Sequence, residues 1–185
     1  MDLAACGPDL TDGVVRLRPW TYGDLGCVRD ASKEGKIPKG TTVPVVYTDS
    51  AGRAFVERQW SRATDGQGWS LAIASDTSGE AFGCVVLLLR PQAQVAGIGY
   101  WLAPKARGFG YARRAVALLT DWGLTRGGLE RIEAWVEPDN TASIRVLSGC
   151  GYVHEGRLRS FLSFPSRRAD ALVLSRITAD PCLPG

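Results

Sequence analysis

Apolar and polar residues alternate along several short stretches of the chain, and each stretch is closed by a turn signal. Val14, Val15, Arg16, Leu17 and Arg18 alternate and stop at Pro19, which predicts a first strand. Thr21 is placed to cap a short helix running to about Arg29, with Asp24 three residues on as an acidic partner. Residues 33–47 carry two prolines, two glycines and three lysines, which predicts a long loop with one helical turn. Long loops in compact domains are often functional, so this one is expected either to line a substrate mouth or to lie on the surface. Residues 50–62 have helical spacing, with Phe55, Gln59 and Arg62 on one side and Val56 and Trp60 beside them.

Two strands follow, at 69–75 and 81–89, joined as a hairpin by the turn cluster 76–79. A third runs over 96–102. The next segment reads as a helix to about residue 125, with Ala112, Ala115, Val116, Leu119 and Trp122 on one stripe and Gly127-Gly128 as its stop. Residues 131–137 alternate as a strand that carries Glu133, Trp135 and Glu137 on one side. Pro138, Asp139 and Asn140 open a helix to about 148, and 152–159 and 171–177 read as two last strands joined by a loop. The order predicts an α+β fold: a mixed, mostly antiparallel sheet of about seven strands with helices on both faces.

Composition narrows the picture. A chain of 185 residues fits one domain, here 13–178, after a loose lead at 1–12 and before a tail at 179–185. The net charge of +3, from 22 basic and 19 acidic residues, does not call for nucleic acid and suits a modest positive field around one anionic ligand. Five cysteines without a CxxC pair, and the single His154, build no zinc set of ordinary spacing. The thiols are therefore expected to be reduced and structural, and the protein cytoplasmic. No leader pattern opens the chain, and its apolar run at 85–89 is far too short to span a membrane.

The joint between the 96–102 strand and the following helix reads Ala106-Arg-Gly-Phe-Gly-Tyr-Ala112. A helix start exposes free N–H groups and a partial positive charge, which together attract phosphate. Gly108 and Gly110 let backbone approach a ligand, Ala112 is small, and Arg107 adds a cationic fork. A ligand-free β–α turn has the same composition. A dinucleotide fingerprint starting at Gly108 would need glycine where Arg113 stands, although Glu137 sits where a ribose-binding acid is expected. A phosphate loop of the GxxxxGK type is nearly spelled by residues 35–40, but Thr41 stands where the lysine is needed.

The wider arrangement resembles the GNAT superfamily of N-acetyltransferases, whose Q/R-x-x-G-x-G/A motif is met by Arg107, Gly110 and Ala112 after Tyr100-Trp-Leu-Ala-Pro104. Arg131-Ile-Glu133, Pro138-x-Asn140-x-x-Ser143, Gly151-Tyr152, Glu155-Gly156-x-x-Arg159 and Asp170 are similar to its RimJ/RimL-like branch. The matches run in order from about 96 to 177; the first half agrees in element order alone. The resemblance implies acetyl-CoA as acyl donor and two splayed central strands. It implies that Leu102 and Ala103 hold pantetheine and acetyl group through their backbone. Residues Arg107, Gly108, Phe109, Gly110, Tyr111 and Ala112 would hold the pyrophosphate, and Asn140 and Ser143 would reach the pantetheine arm. A homodimer is implied on the same ground.

Such chemistry needs a neutral amine, a donor for the carbonyl oxygen and an acid near sulfur. Many family members carry a tyrosine seven residues after the asparagine; here that position is Leu147. Ser143 is the branch's candidate acid, or else a small residue on a packed helix face. The position before Ile98 is often acidic in the branch and is Gly97 here, which leaves Glu133, acting through water or as a structural carboxylate. The expected function is acetyl transfer to a primary amine, either a protein N-terminus or a small molecule, in a ternary complex. The alternative is an acyl-CoA-binding module with little turnover.

Overall fold

In the computed structural model, residues 6–181 are described. Eight strands form one sheet: β1 (Leu10–Thr11), β2 (Val15–Arg18), β3 (Gly68–Ser75), β4 (Ala81–Leu89), β5 (Val95–Leu102), β6 (Arg131–Val136), β7 (Val153–Phe164) and β8 (Arg167–Ile177). Their order is β1-β2-β3-β4-β5-β6-β8-β7. Every neighbouring pair is antiparallel except β5 with β6, which is parallel. Five helices complete the fold: α1 (Leu25–Ser32), the single turn α2 (Ile37–Gly40), α3 (Asp49–Thr64), α4 (Tyr111–Thr125) and α5 (Thr141–Gly149).

Alternation along the strands divides the core into two layers. Val15, Leu17, Leu71, Ile73, Val85, Leu87, Ile132 and Ala134 point to the face covered by Ala115, Val116 and Leu119 of α4 and Leu147 of α5. Ala72, Cys84 and Trp101 point to the other face, where they meet Val28 of α1, Phe55 and Val56 of α3, and Trp20. Asp24 joins strand to helix: it takes both guanidinium nitrogens of Arg18 at 2.8 Å and the Thr21 N–H at 2.8 Å. The helix predicted from Thr21 is accordingly a 3-10 turn, Tyr22–Asp24, running into α1.

Two sequence expectations need correction. Leu10–Thr11, within the predicted loose lead, form an edge strand whose Leu10 is buried; two residues are too few to show a period. The last two strands are longer than expected, because the residues between them pair down to Phe164 opposite Arg167. Most β7 side chains are exposed, so no buried face imposes an alternation to read. Asp170 lies inside β8, where it holds the bulge of β7 by accepting from the Ser160 N–H at 2.7 Å. Residues 1–5 and 182–185, including Cys182, lie outside the described residues. Cys27, Cys84 and Cys150 are buried free thiols, and burial pushes them up to about 12, 11 and 11. Among the described residues no helix is long and apolar enough to cross a membrane.

Two predictions follow from these contacts. Gly83 stands opposite Leu102, and a Cβ added there would lie 2.1 Å from the Trp101 carbonyl oxygen. That oxygen is backbone and cannot swing away, so Gly83→Ala is expected to cost about 1–3 kcal/mol, read as a lower urea midpoint. Glu155 is held down to about 2 by hydrogen bonds from Arg131 and Ser175. A carboxyl depressed in the fold stabilises above its ordinary value and loses that contribution as pH falls toward the folded value. Glu155→Gln should therefore flatten the loss of thermal stability between neutral pH and pH ~3, and added salt should narrow the difference because the group is largely exposed.

Candidate active site

The site starts from a parting of strands. β5 and β6 pair at Val95 with Arg131, Ala96 with Ile132 and Gly97 with Glu133, and there the ladder ends. Beyond it β5 stays on β4 as far as Leu102 opposite Gly83, and β6 stays on β8 as far as Val136 opposite Leu172. Both strands are thus held on their outer sides and separate between. Backbone groups alternate sides along a strand. The Ala103 N–H goes to Phe82 O at 2.9 Å on the β4 side, so those of Tyr100 and Leu102 face the gap. Of the two predicted pantetheine residues, Leu102 thus offers backbone to the gap. Ala103 does not, because its carbonyl also accepts the Ala106 N–H at 2.9 Å.

A cavity of about 650 Å³ fills the gap. On the α3 side it is lined by Gly97, Gly99, Trp101 and Trp135, and it passes between the strands to Tyr100, Asn140, Ser143 and Leu147 on the α4/α5 side. Residues 39–42, from the loop expected either to line a substrate mouth or to lie on the surface, line it too.

The phosphate-binding candidates lie together beyond the end of β5. A 3-10 turn, Pro104–Ala106, leads into Arg107, and α4 begins after Gly110. Gly108 and Gly110 have φ of +87° and +79°, which L side chains rarely adopt, and a Cβ at either would meet nothing within 4 Å. The turn therefore selects glycine by backbone conformation and leaves open space above it. No side chain caps α4 at Gly110, so its first N–H groups are left for a ligand. This combination fits a pyrophosphate. Arg107 is turned back: its Nε donates to Leu102 O at 3.2 Å and its guanidinium pairs with Glu34 at 3.1 Å. Tyr111 is stacked between Phe82 at 4.6 Å and the exposed Phe109 at 5.7 Å, which stiffens the loop.

Asn140 caps α5, its Oδ1 accepting the Ser143 N–H at 3.2 Å. Ser143 lines the cavity, and its carbonyl accepts from the Tyr100 hydroxyl at 3.2 Å. Burial pushes that phenol up to about 12, so it is a neutral donor. Glu133 sits elsewhere. It does not line the cavity; its carboxylate lies 3.1 Å from Arg90 and 3.5 Å from Arg131. The exposed His154 lies on β7, away from the cavity, and Tyr152 is buried with its hydroxyl 2.7 Å from Thr120.

Sequence reading missed Arg90. Its guanidinium lies 3.7 Å over the Trp135 ring, pairs with Glu133, and crosses Gly97 so closely that a Cβ there would come within 2.3 Å of it. The signal available in the sequence was Gly97 itself, standing where the branch often carries an acid: a side chain from elsewhere takes the space.

Comparison with known proteins agrees with this geometry. Residues 15–153 match the acetyltransferase (GNAT) domain family. Over 131 residues the chain is 34% identical to the uncharacterized N-acetyltransferase p20 of Bacillus licheniformis, covering 70% of this chain and 74% of that one. RimJ of Mycobacterium smegmatis, solved in complex with CoA-disulfide, superposes with a TM-score of 0.78 at 29% identity, over 92% of this chain and 86% of that one. A GNAT-family acetyltransferase from Bacillus anthracis shares the fold with a TM-score of 0.80 at 20% identity, over 94% of this chain and 100% of that one. Parted central strands, an uncapped helix start behind two left-handed glycines and a family match over most of the length lead to one assignment: the chain belongs to the GNAT acetyltransferase family, on its RimJ/RimL-like side.

Proposed function

We propose that this protein transfers the acetyl group of acetyl-CoA to a primary amine in a ternary complex. The observation that carries the reading is the cavity that joins the two faces of the sheet where β5 and β6 part. The donor enters from the α4/α5 side, with its pyrophosphate on the Arg107 to Ala112 turn and its pantetheine arm along the free edge of β5. The acceptor enters from the α3 side. The amine nitrogen attacks the thioester carbonyl carbon; a C–N bond forms, the C–S bond breaks, and the thiolate takes up a proton. Holding both reactants in one cavity supplies much of the acceleration.

Ser143 is the proposed proton donor to the departing sulfur, since it lines the cavity beside the proposed pantetheine path. Glu133 serves as a positioning residue: its carboxylate pairs with Arg90 and Arg131 and anchors the Arg90 guanidinium at the cavity wall. The amine then loses its proton to water at the open mouth. Buried reduced thiols suit the cytoplasm as the proposed location. The acceptor is a protein N-terminus or a small-molecule amine.

Mass spectrometry of the protein with acetyl-CoA and a panel of N-terminal peptides, amino acids, polyamines and aminoglycosides tests the reading. A gain of one acetyl group on an acceptor class is expected. Donor binding without any product would instead make the protein a binding module. Arg107→Ala should weaken CoA binding about 10- to 100-fold, the usual loss for a charge-assisted contact, and Gly110→Glu should abolish it. Unchanged affinity in titration calorimetry would contradict the pyrophosphate site. Ser143→Ala should lower kcat about 100-fold with little change in KM for acetyl-CoA, and Tyr100→Phe should fall well short of that loss.

A further inference from the structure

The acceptor side of the cavity is cationic. Among the described residues Lys39, Arg62 and Arg90 line it, against a single lining carboxylate, Glu137, which is already paired with Arg167. Arg90 is fixed by Glu133 and Trp135. Arg62 is different: it has no carboxylate within ion-pair distance among the described residues. Its Nε donates to Gln59 Oε1 at 3.3 Å, and no partner is found there for its terminal nitrogens. Gln59 is 2% exposed and is held in turn, its Nε2 donating to Phe55 O at 2.8 Å and its Oε1 accepting from Ser70 at 2.9 Å. A buried amide backed by a buried hydroxyl thus steadies an arginine at a cavity wall and leaves its planar end unpaired. That end matches a carboxylate in two parallel hydrogen bonds.

A cavity of this charge repels polyamines and other cationic acceptors. We infer that the acceptor is a small primary amine bearing a carboxylate, and that Arg62 binds that carboxylate while the amine reaches the strand gap. The inference rests on the acetyl-transfer reading and narrows its acceptor. Lys39, on the one-turn helix α2 at the mouth, adds attraction without a fixed geometry.

The test compares amino acids with their amides, and with a diamine, as acceptors for the wild type and Arg62→Gln. An amide has the less basic amine and so the larger neutral fraction, which works against the expected result and makes it more telling. Wild type is expected to favour acid over amide by at least about tenfold in kcat/KM, through KM, as fits a bidentate charged contact. Arg62→Gln should collapse that ratio while acetyl-CoA affinity, a check on the fold, is retained. Equal use of acid and amide, preference for the diamine, or a ratio unmoved by Arg62→Gln would overturn the inference and leave acetyl transfer standing. Acetylation of N-terminal peptides or aminoglycosides but of none of these small acids would also overturn the inference and leave acetyl transfer standing, whereas no product with any member of either panel would sink the transfer reading itself. Calorimetric binding of the same acids and amides to the CoA-loaded protein then decides the site: acid binding lost in Arg62→Gln upholds it, and no acid binding refutes it.

Discussion

The structure depends on one interrupted ladder. Among the described residues β5 and β6 are the only parallel neighbours in the sheet, and their pairing stops at Gly97 and Glu133 while each remains bonded to its outer neighbour. Strand pairing normally continues because unpaired backbone groups inside a protein are costly. Here the parted edges open onto a cavity, where their free groups can be served by water or a ligand. The hydrophobic layers on either face hold the outer strands firmly enough for the gap to persist. In the proposed reaction a thioester arm along one free edge meets an amine from the opposite face there.

The residues around the gap follow from that opening. Glycine at 97 and 99 keeps the α3 face of β5 low. Arg90 lies over Gly97, where a branch relative would often hold an acid, and its charge is balanced by Glu133 instead of being available to an acceptor. Arg62, steadied by Gln59, keeps its unpaired end. Gly97 in β5 thus leaves room for the paired Arg90, and the unpaired cationic end at the cavity wall comes from Arg62 on α3.

The fold was largely legible because its strands and helices bury one face each, so their periods show in the sequence. Strands β3, β4 and β5, helix α4 and its glycine stop were readable in this way, and so was the glycine turn before α4, whose shape is set by backbone conformation within a few consecutive residues. What was not legible had no local cause. The two-residue strand β1 has no period, and β7 has little buried face to pattern it. Arg90 and Glu133 are 43 positions apart, and only the sheet brings them together. Whether Glu133 acts through water or as a structural carboxylate was left open because its strand position was known and its partners were not. Arg62 was visible as one side of a helix, but its pairing with Gln59 and its place on a cavity wall needed the packing of α3 on β3.

Hydrogen exchange of the protein with and without saturating CoA tests the central claim most directly. If the parted strands and the turn behind them form the donor site, exchange slows in segments 98–112 and 140–147 and stays unchanged across 153–177. Slowing confined to other segments, or none at saturation, would contradict the assignment of the gap as the place where donor and acceptor meet.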